Sequence, residues 1–149
     1  MLVIDTGEYV SALREVTESG QEAGMRIWGS SMAPFLVHGR DWIFFSRPAR
    51  PLKKGDMVFY QRKDGQYVMH RICRVSGGGY YLVGDAQTIV EGPIAEGQIF
   101  ALVTRVKRKG KELSQGSFCW DFFAGPWLLL RSLRPVILRL YAGIRRREK

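Results

Sequence analysis

Three short stretches of this chain carry side chains suited to joint chemistry. The first is Gly29-Ser30-Ser31-Met32-Ala33-Pro34. Gly29 permits close backbone approach just before a serine, and Pro34 stiffens the chain just after it. Such a bend exposes a hydroxyl and leaves backbone N–H groups free for an oxyanion, with Ser30 and Met32 as the flanking oxyanion or substrate-binding positions. The second is Tyr67-Val68-Met69-His70-Arg71-Ile72, where His70, one of two histidines, lies inside an alternating strand pattern. The third is Tyr81-Leu82-Val83-Gly84-Asp85-Ala86, a strand that ends on Gly-Asp. Taken singly, each has a plainer explanation: a turn-forming serine, a hydrogen-bonded structural histidine, a Gly-Asp turn. Taken together, Ser31, His70 and Asp85 supply a nucleophile, a general base and an orienting carboxylate. A serine is a weak nucleophile until a neighbouring base takes its proton. Neutral imidazole suits that task near pH 7, and a carboxylate can fix its tautomer.

The order of these pieces is Gly-x-Ser-Met-x-Pro, then Gly-Asp before two hydrophobic residues (Gly55-Asp56-Met57-Val58), then hydrophobic-His-Arg-Ile, then Gly-Asp. It resembles the superfamily of type I signal peptidases and LexA-like peptidases, over about residues 26–106. Within it the match is to the Ser–His branch, typified by endoplasmic-reticulum and some Gram-positive and archaeal signal peptidases. His70 stands where other members carry a lysine. The resemblance implies a serine endopeptidase with Ser31 as nucleophile, His70 as base and Asp85 as the acidic member. It also implies small side chains near the cleavage site, and the chemistry requires no cofactor or metal. The pattern departs from the family at Arg40, which separates Gly39 from Asp41, and at Ala86, where the family often has Asn. Lys53 and Lys54 read as a solvated loop, Asp56 as structural, and His38 as outside the chemistry.

The elements that must position these residues are mostly strands. Residues 5–19 form a helix, capped by Asp5 or Thr6, with Val10, Leu13 and Val16 on one face. Strands follow at residues 25–28, 41–46, 57–62, 66–75, 80–83 and 99–107. They are separated by turns at Gly55-Asp56, Lys63-Asp64-Gly65 and Ser76-Gly77-Gly78-Gly79, while Pro48 and Pro51 keep the 47–54 stretch out of a central strand. With 149 residues, 46% of them hydrophobic, and 17 glycines, the fold class is mainly β. The expected architecture is a small antiparallel β-barrel-like peptidase core with an N-terminal helix and a C-terminal amphipathic helical tail. The divisions fall at 1–24, 25–115 and 116–149. Two cysteines, Cys73 and Cys119, without C-x-x-C spacing, exclude a zinc ribbon and a disulfide framework.

The formal net charge of +9 points to an anionic partner. From Phe118 onward aromatic and leucine residues are threaded with arginines. On a helical wheel of residues 128–144 and their flank, Arg131, Arg134, Arg139, Arg145 and Arg146 fall on one side. Leu129, Leu133, Val136, Ile137, Leu140 and Ile144 fall on the other, with Pro135 as a point of interruption. Arginines inside a spanning helix cost about 2.5–3.5 kcal/mol each. The tail is therefore expected to lie on an anionic membrane surface, with Trp120 and Trp127 at the boundary. The aromatics sit with aliphatic residues rather than on a polar stacking platform, which argues against nucleic acid. The N-terminus carries no basic, long apolar segment, so the expected placement is peripheral, on the cytoplasmic side. The substrate is expected to be a peptide or protein with a leader or signal segment. Two other readings remain: a cytosolic leader-processing peptidase of the same superfamily, and a non-catalytic β domain that docks to membranes. A LexA-like repressor is disfavoured, because no DNA-binding helical region precedes the core.

Overall fold

A computed structural model describes residues 6–147. Eight strands form one antiparallel sheet: β1 (Ala23–Arg26), β2 (Trp42–Ser46), β3 (Met57–Gln61), β4 (Tyr67–Ser76), β5 (Gly79–Val83), β6 (Glu91–Ile94), β7 (Ile99–Arg108) and β8 (Lys111–Ser114). Their order is β1-β2-β7-β3-β4-β5-β6, and β8 adds to β7. The long strand β7 pairs with β2 over residues 102–107, with β3 over residues 99–102 and with β8 over residues 105–108. Register shifts at Phe44/Phe45, Phe59/Tyr60 and Ile72/Arg74 bend the sheet, as extra residues in one strand of a pair do. The fold is mainly β, as expected.

The curved sheet has an apolar cluster on each face. The larger gathers Met25, Ile27, Phe45, Phe59, Ala101 and Val103 with their neighbours. The smaller gathers Val58, Tyr60, Ile72, Leu82, Ile99 and Leu102. Period-two alternation explains the split: Met57 and Phe59 leave β3 on one face, Val58 and Tyr60 on the other. The N-terminal helix α1 (Thr6–Glu18) buries Val10 against the larger cluster, with Leu13 and Val16 packed beside it. Of the two expected caps, Thr6 is the first residue of α1 and Asp5 lies outside the described residues.

The C-terminal segment differs from expectation in an instructive way. It folds as α2 (Phe118–Ala124), α3 (Pro126–Leu129) and α4 (Arg134–Arg147). Trp120 and Trp127, expected at a membrane boundary, are only 7% and 3% exposed and belong to the larger cluster. Phe123 stacks on Phe35 at 4.9 Å between ring centroids, sealing the sheet behind the Ser31 segment. Flat aromatic surface finds more contact in that core than at an interface. Pro135 is the second residue of α4 and so starts a helix instead of interrupting one, because the first turn has no use for its missing N–H. Arg134, expected on the cationic face, is fully buried. The side chain of Arg145 lies outside what is described. Among the described residues, no helix is long and apolar enough to cross a membrane.

Candidate active site

Ser31 follows β1 on a sharply turned segment. Gly29 has φ of +85°, a conformation that favours glycine, and its N–H donates to Nδ1 of His38 at 2.7 Å. His38 is thus an anchor for the turn. Met32, Phe35 and Leu36 are buried at 2% exposure or less and pin the segment to the core. Ser31 itself is half-buried and Ser30 is exposed. Among the described residues the amides of Ser31 and Met32 donate to no protein acceptor, while the Ser31 carbonyl accepts the N–H of Ala86 at 2.9 Å. A Cβ on Gly84 would lie 2.5 Å from that same carbonyl oxygen. Only glycine lets the two backbones approach this closely.

His70 sits on β4 opposite Val58 and is 6% exposed. It lines a cleft of about 300 Å³ together with Ser31, Met25, Ile27, Tyr67 and Met69. Burial pushes its imidazole down to about pKa 4, against the upward pull of Glu91 and, more weakly, Asp85; the Arg62 guanidinium adds to the depression. The ring is therefore neutral at pH 7 and free to accept a proton.

Asp85, expected to orient this imidazole, is spanned instead by Arg71. The guanidinium donates from Nε and Nη2 to the two carboxylate oxygens, both at 2.9 Å, and both side chains are fully buried. Arg71 also donates to the carbonyl of Gly55 and lies over the Phe35 ring. The reason is geometric. His70 and Arg71 are consecutive in a strand, so their side chains leave on opposite faces, and the carboxylate that serves one is turned from the other. The main chain around Asp85 is held as tightly. Trp127 Nε1 donates to the Asp85 carbonyl at 2.7 Å, and Arg134 Nη1 donates to the carbonyls of Gly84 and Gln87 at 2.9 and 2.7 Å.

The carboxylate whose hydrogen bonds lead to His70 is Glu91, which the motifs did not single out. Tyr60 donates its hydroxyl proton to Glu91 Oε2 at 2.7 Å, and the Tyr60 oxygen lies 3.4 Å from His70 Nδ1. Arg62 grips both oxygens of Glu91, at 2.7 and 2.8 Å. Glu91 was hidden by its sequence context, Val90-Glu91-Gly92-Pro93. A Pro-Gly stretch argues against a strand, yet β6 is an edge strand, where proline is tolerated. Lys53 and Lys54 are exposed, and Asp56 is held by Arg50, so neither lysine nor that carboxylate joins the site.

Residues 2–106 match the family model described as Peptidase S24-like. Neither the curated proteins nor the solved structures yield a match.

Proposed function

The chain belongs to the Peptidase S24-like family and is a serine peptidase of the LexA and signal-peptidase superfamily; we propose that it cleaves leader- or signal-like segments through Ser31 and His70. The observation that carries this reading is the lining of one cleft by both residues, the imidazole being neutral there. In the proposed reaction the Ser31 hydroxyl attacks a peptide carbonyl, and its proton passes to Nε2 of His70. The tetrahedral oxyanion is met by the unengaged amides at Ser31 and Met32, with Ser30 beside them. The C–N bond then breaks, the imidazolium returns the proton to the departing amine, and an acyl-serine remains. Water, losing a proton to His70, attacks that ester and releases Ser31.

Two unpaired backbone edges support an extended substrate. Among the described residues β1 pairs only with β2, and residues 67–70 of β4 pair only with β3. A peptide strand laid in the cleft between them gains backbone hydrogen bonds on both sides. The apolar lining from Met25, Ile27 and Met69 suits a hydrophobic leader. Asp85 enters this scheme as a positioning residue for the turn that carries Ala86 against Ser31.

The test is cleavage of leader-bearing peptides. Ser31→Ala and His70→Ala each lower kcat/KM by at least ~10³-fold while the fold is retained. In the wild type, kcat/KM falls as pH drops through about 4, because the protonated imidazole cannot accept the serine proton. Undiminished cleavage by Ser31→Ala would sink the assignment.

A peripheral membrane site is part of the same proposal. Leu133, just before α4, and Val136, Leu140 and Ile144 on it are each more than half exposed and recur at helical spacing, with exposed Arg139 and Arg146 also on α4. An apolar stripe bearing arginines is complementary to anionic headgroups over acyl chains.

A further inference from the structure

The network behind His70 determines which of its two nitrogens is the base. Tyr60 is fully buried on β3, two residue pairs along from the Val58–His70 pair and so on the same face of the β3–β4 ladder. Its hydroxyl has one hydrogen and must give it to one of two neighbours. The Glu91 carboxylate stands at 2.7 Å and His70 Nδ1 at 3.4 Å. A charge-assisted O–H···O⁻ bond at that length is the stronger. Arg62 clamps Glu91 from the other side and holds it well below the usual carboxylate range, so the acceptor is ionised. Burial, then Glu91, raises the Tyr60 phenol above its ordinary value, so the hydroxyl keeps its proton. With that proton committed, the phenolic oxygen offers only lone pairs to the imidazole.

We propose that Glu91, acting through the Tyr60 hydroxyl, is a positioning residue that fixes His70 as the Nδ1–H tautomer and leaves Nε2 as the catalytic lone pair. Among the described residues Nε2 has no partner, as a base awaiting the serine proton requires. The role belongs to Glu91 and not to Asp85, since both Asp85 oxygens are occupied by Arg71. The charged groups acting on the ring are Glu91, Arg62 and Asp85, and Glu91 acts most strongly of the three. The other histidine is an internal contrast. His38 Nδ1 accepts the Gly29 N–H, so its proton resides on Nε2. The inference rests on the Ser31–His70 assignment for its catalytic meaning, but the tautomer itself can be read without any cleavage.

The experiment is ¹⁵N NMR of histidine-labelled protein at pH 7, with His38→Asn to assign the two rings, alongside peptide cleavage. In the wild type, and in Ser31→Ala, His70 shows the Nδ1–H form. Glu91→Leu frees the Tyr60 proton to turn toward Nδ1. His70 then shifts to Nε2–H, and kcat/KM falls by about 10- to 100-fold, the range for hydrogen-bond partners one step removed from a reactive imidazole. Adding Tyr60→Phe to Glu91→Leu removes the misdirected donor. The double variant is faster than Glu91→Leu alone, an outcome that simple loss of structure does not produce. An Nε2–H tautomer in the wild type overturns the proposal. So does an unchanged tautomer in Glu91→Leu, whatever the rate. A correct tautomer in a protein whose Ser31→Ala variant still cleaves would instead remove the Ser31 assignment and leave the tautomer network standing.

Discussion

At the scale of single residues, two carboxylates divide the work, one part-exposed and one fully buried. Glu91 faces the imidazole through Tyr60, whereas Asp85 neutralises Arg71 where water has no access. Removing one member of such a pair strands the other charge, at a cost of about 3–5 kcal/mol. Asp85→Ala is therefore expected to lower the unfolding free energy read from urea denaturation by that amount, and any loss of cleavage should follow the loss of folded protein. A rate loss with unchanged stability would instead place Asp85 on the imidazole. Asp85 was legible in the sequence as a carboxylate at a strand end. Its partner was not, because Arg71 belongs to the same short motif as His70 and nothing in the motif says which of the two neighbours the acid meets.

At the scale of elements, the turn formed by residues 84–87 is the junction of the site. It receives hydrogen bonds from Arg134 and Trp127, gives one to the Ser31 carbonyl, and packs Gly84 against the same oxygen. Gly-Asp is thus more than a turn, as the motif implied, and the reason is contact with the Ser31 backbone. α4 has a different character. Its buried side supplies Arg134 and packs Ile137 and Leu138 on the core, while its outer stripe is open. Leu133→Ser with Leu140→Ser is expected to abolish flotation on phosphatidylglycerol/phosphatidylcholine vesicles at low salt and to leave thermal stability within ~0.5 kcal/mol, as exposed substitutions do. The wild type should bind those vesicles and not pure phosphatidylcholine. Flotation unchanged by the double substitution would discard the outer stripe as the membrane contact.

At the scale of the whole molecule, catalytic core and tail share one interior. Trp120, Phe123 and Trp127 lie in the same cluster as Met25, Phe35 and Phe59. Deleting a buried aromatic costs about 3–5 kcal/mol, and three of them approach the ~5–15 kcal/mol that holds a domain folded. A chain ending after residue 117 should accordingly show no cooperative thermal unfolding by circular dichroism. A cooperative transition near that of the full chain would mean that the β sheet sustains its own core. The helical tail is then part of the peptidase, and it reaches Ser31 through Arg134 and the 84–87 turn.

The sequence alone determined the ordered set Ser31, His70 and Asp85, the β character of the core, six of its strands and the helical nature of both ends. Those features depend on local quantities: side-chain chemistry, period-two alternation and the backbone freedom of glycine at turns. Only the tertiary structure decided the pairings. Glu91 meets Tyr60 across more than thirty residues of chain, Trp127 meets Asp85 across more than forty, and Arg134 leaves the wheel's cationic face to cap buried carbonyls. An isolated helix plot cannot assign those partners, because a buried charge or aromatic ring is placed by what the rest of the fold leaves unsatisfied, and that exists only once the sheet has closed around it.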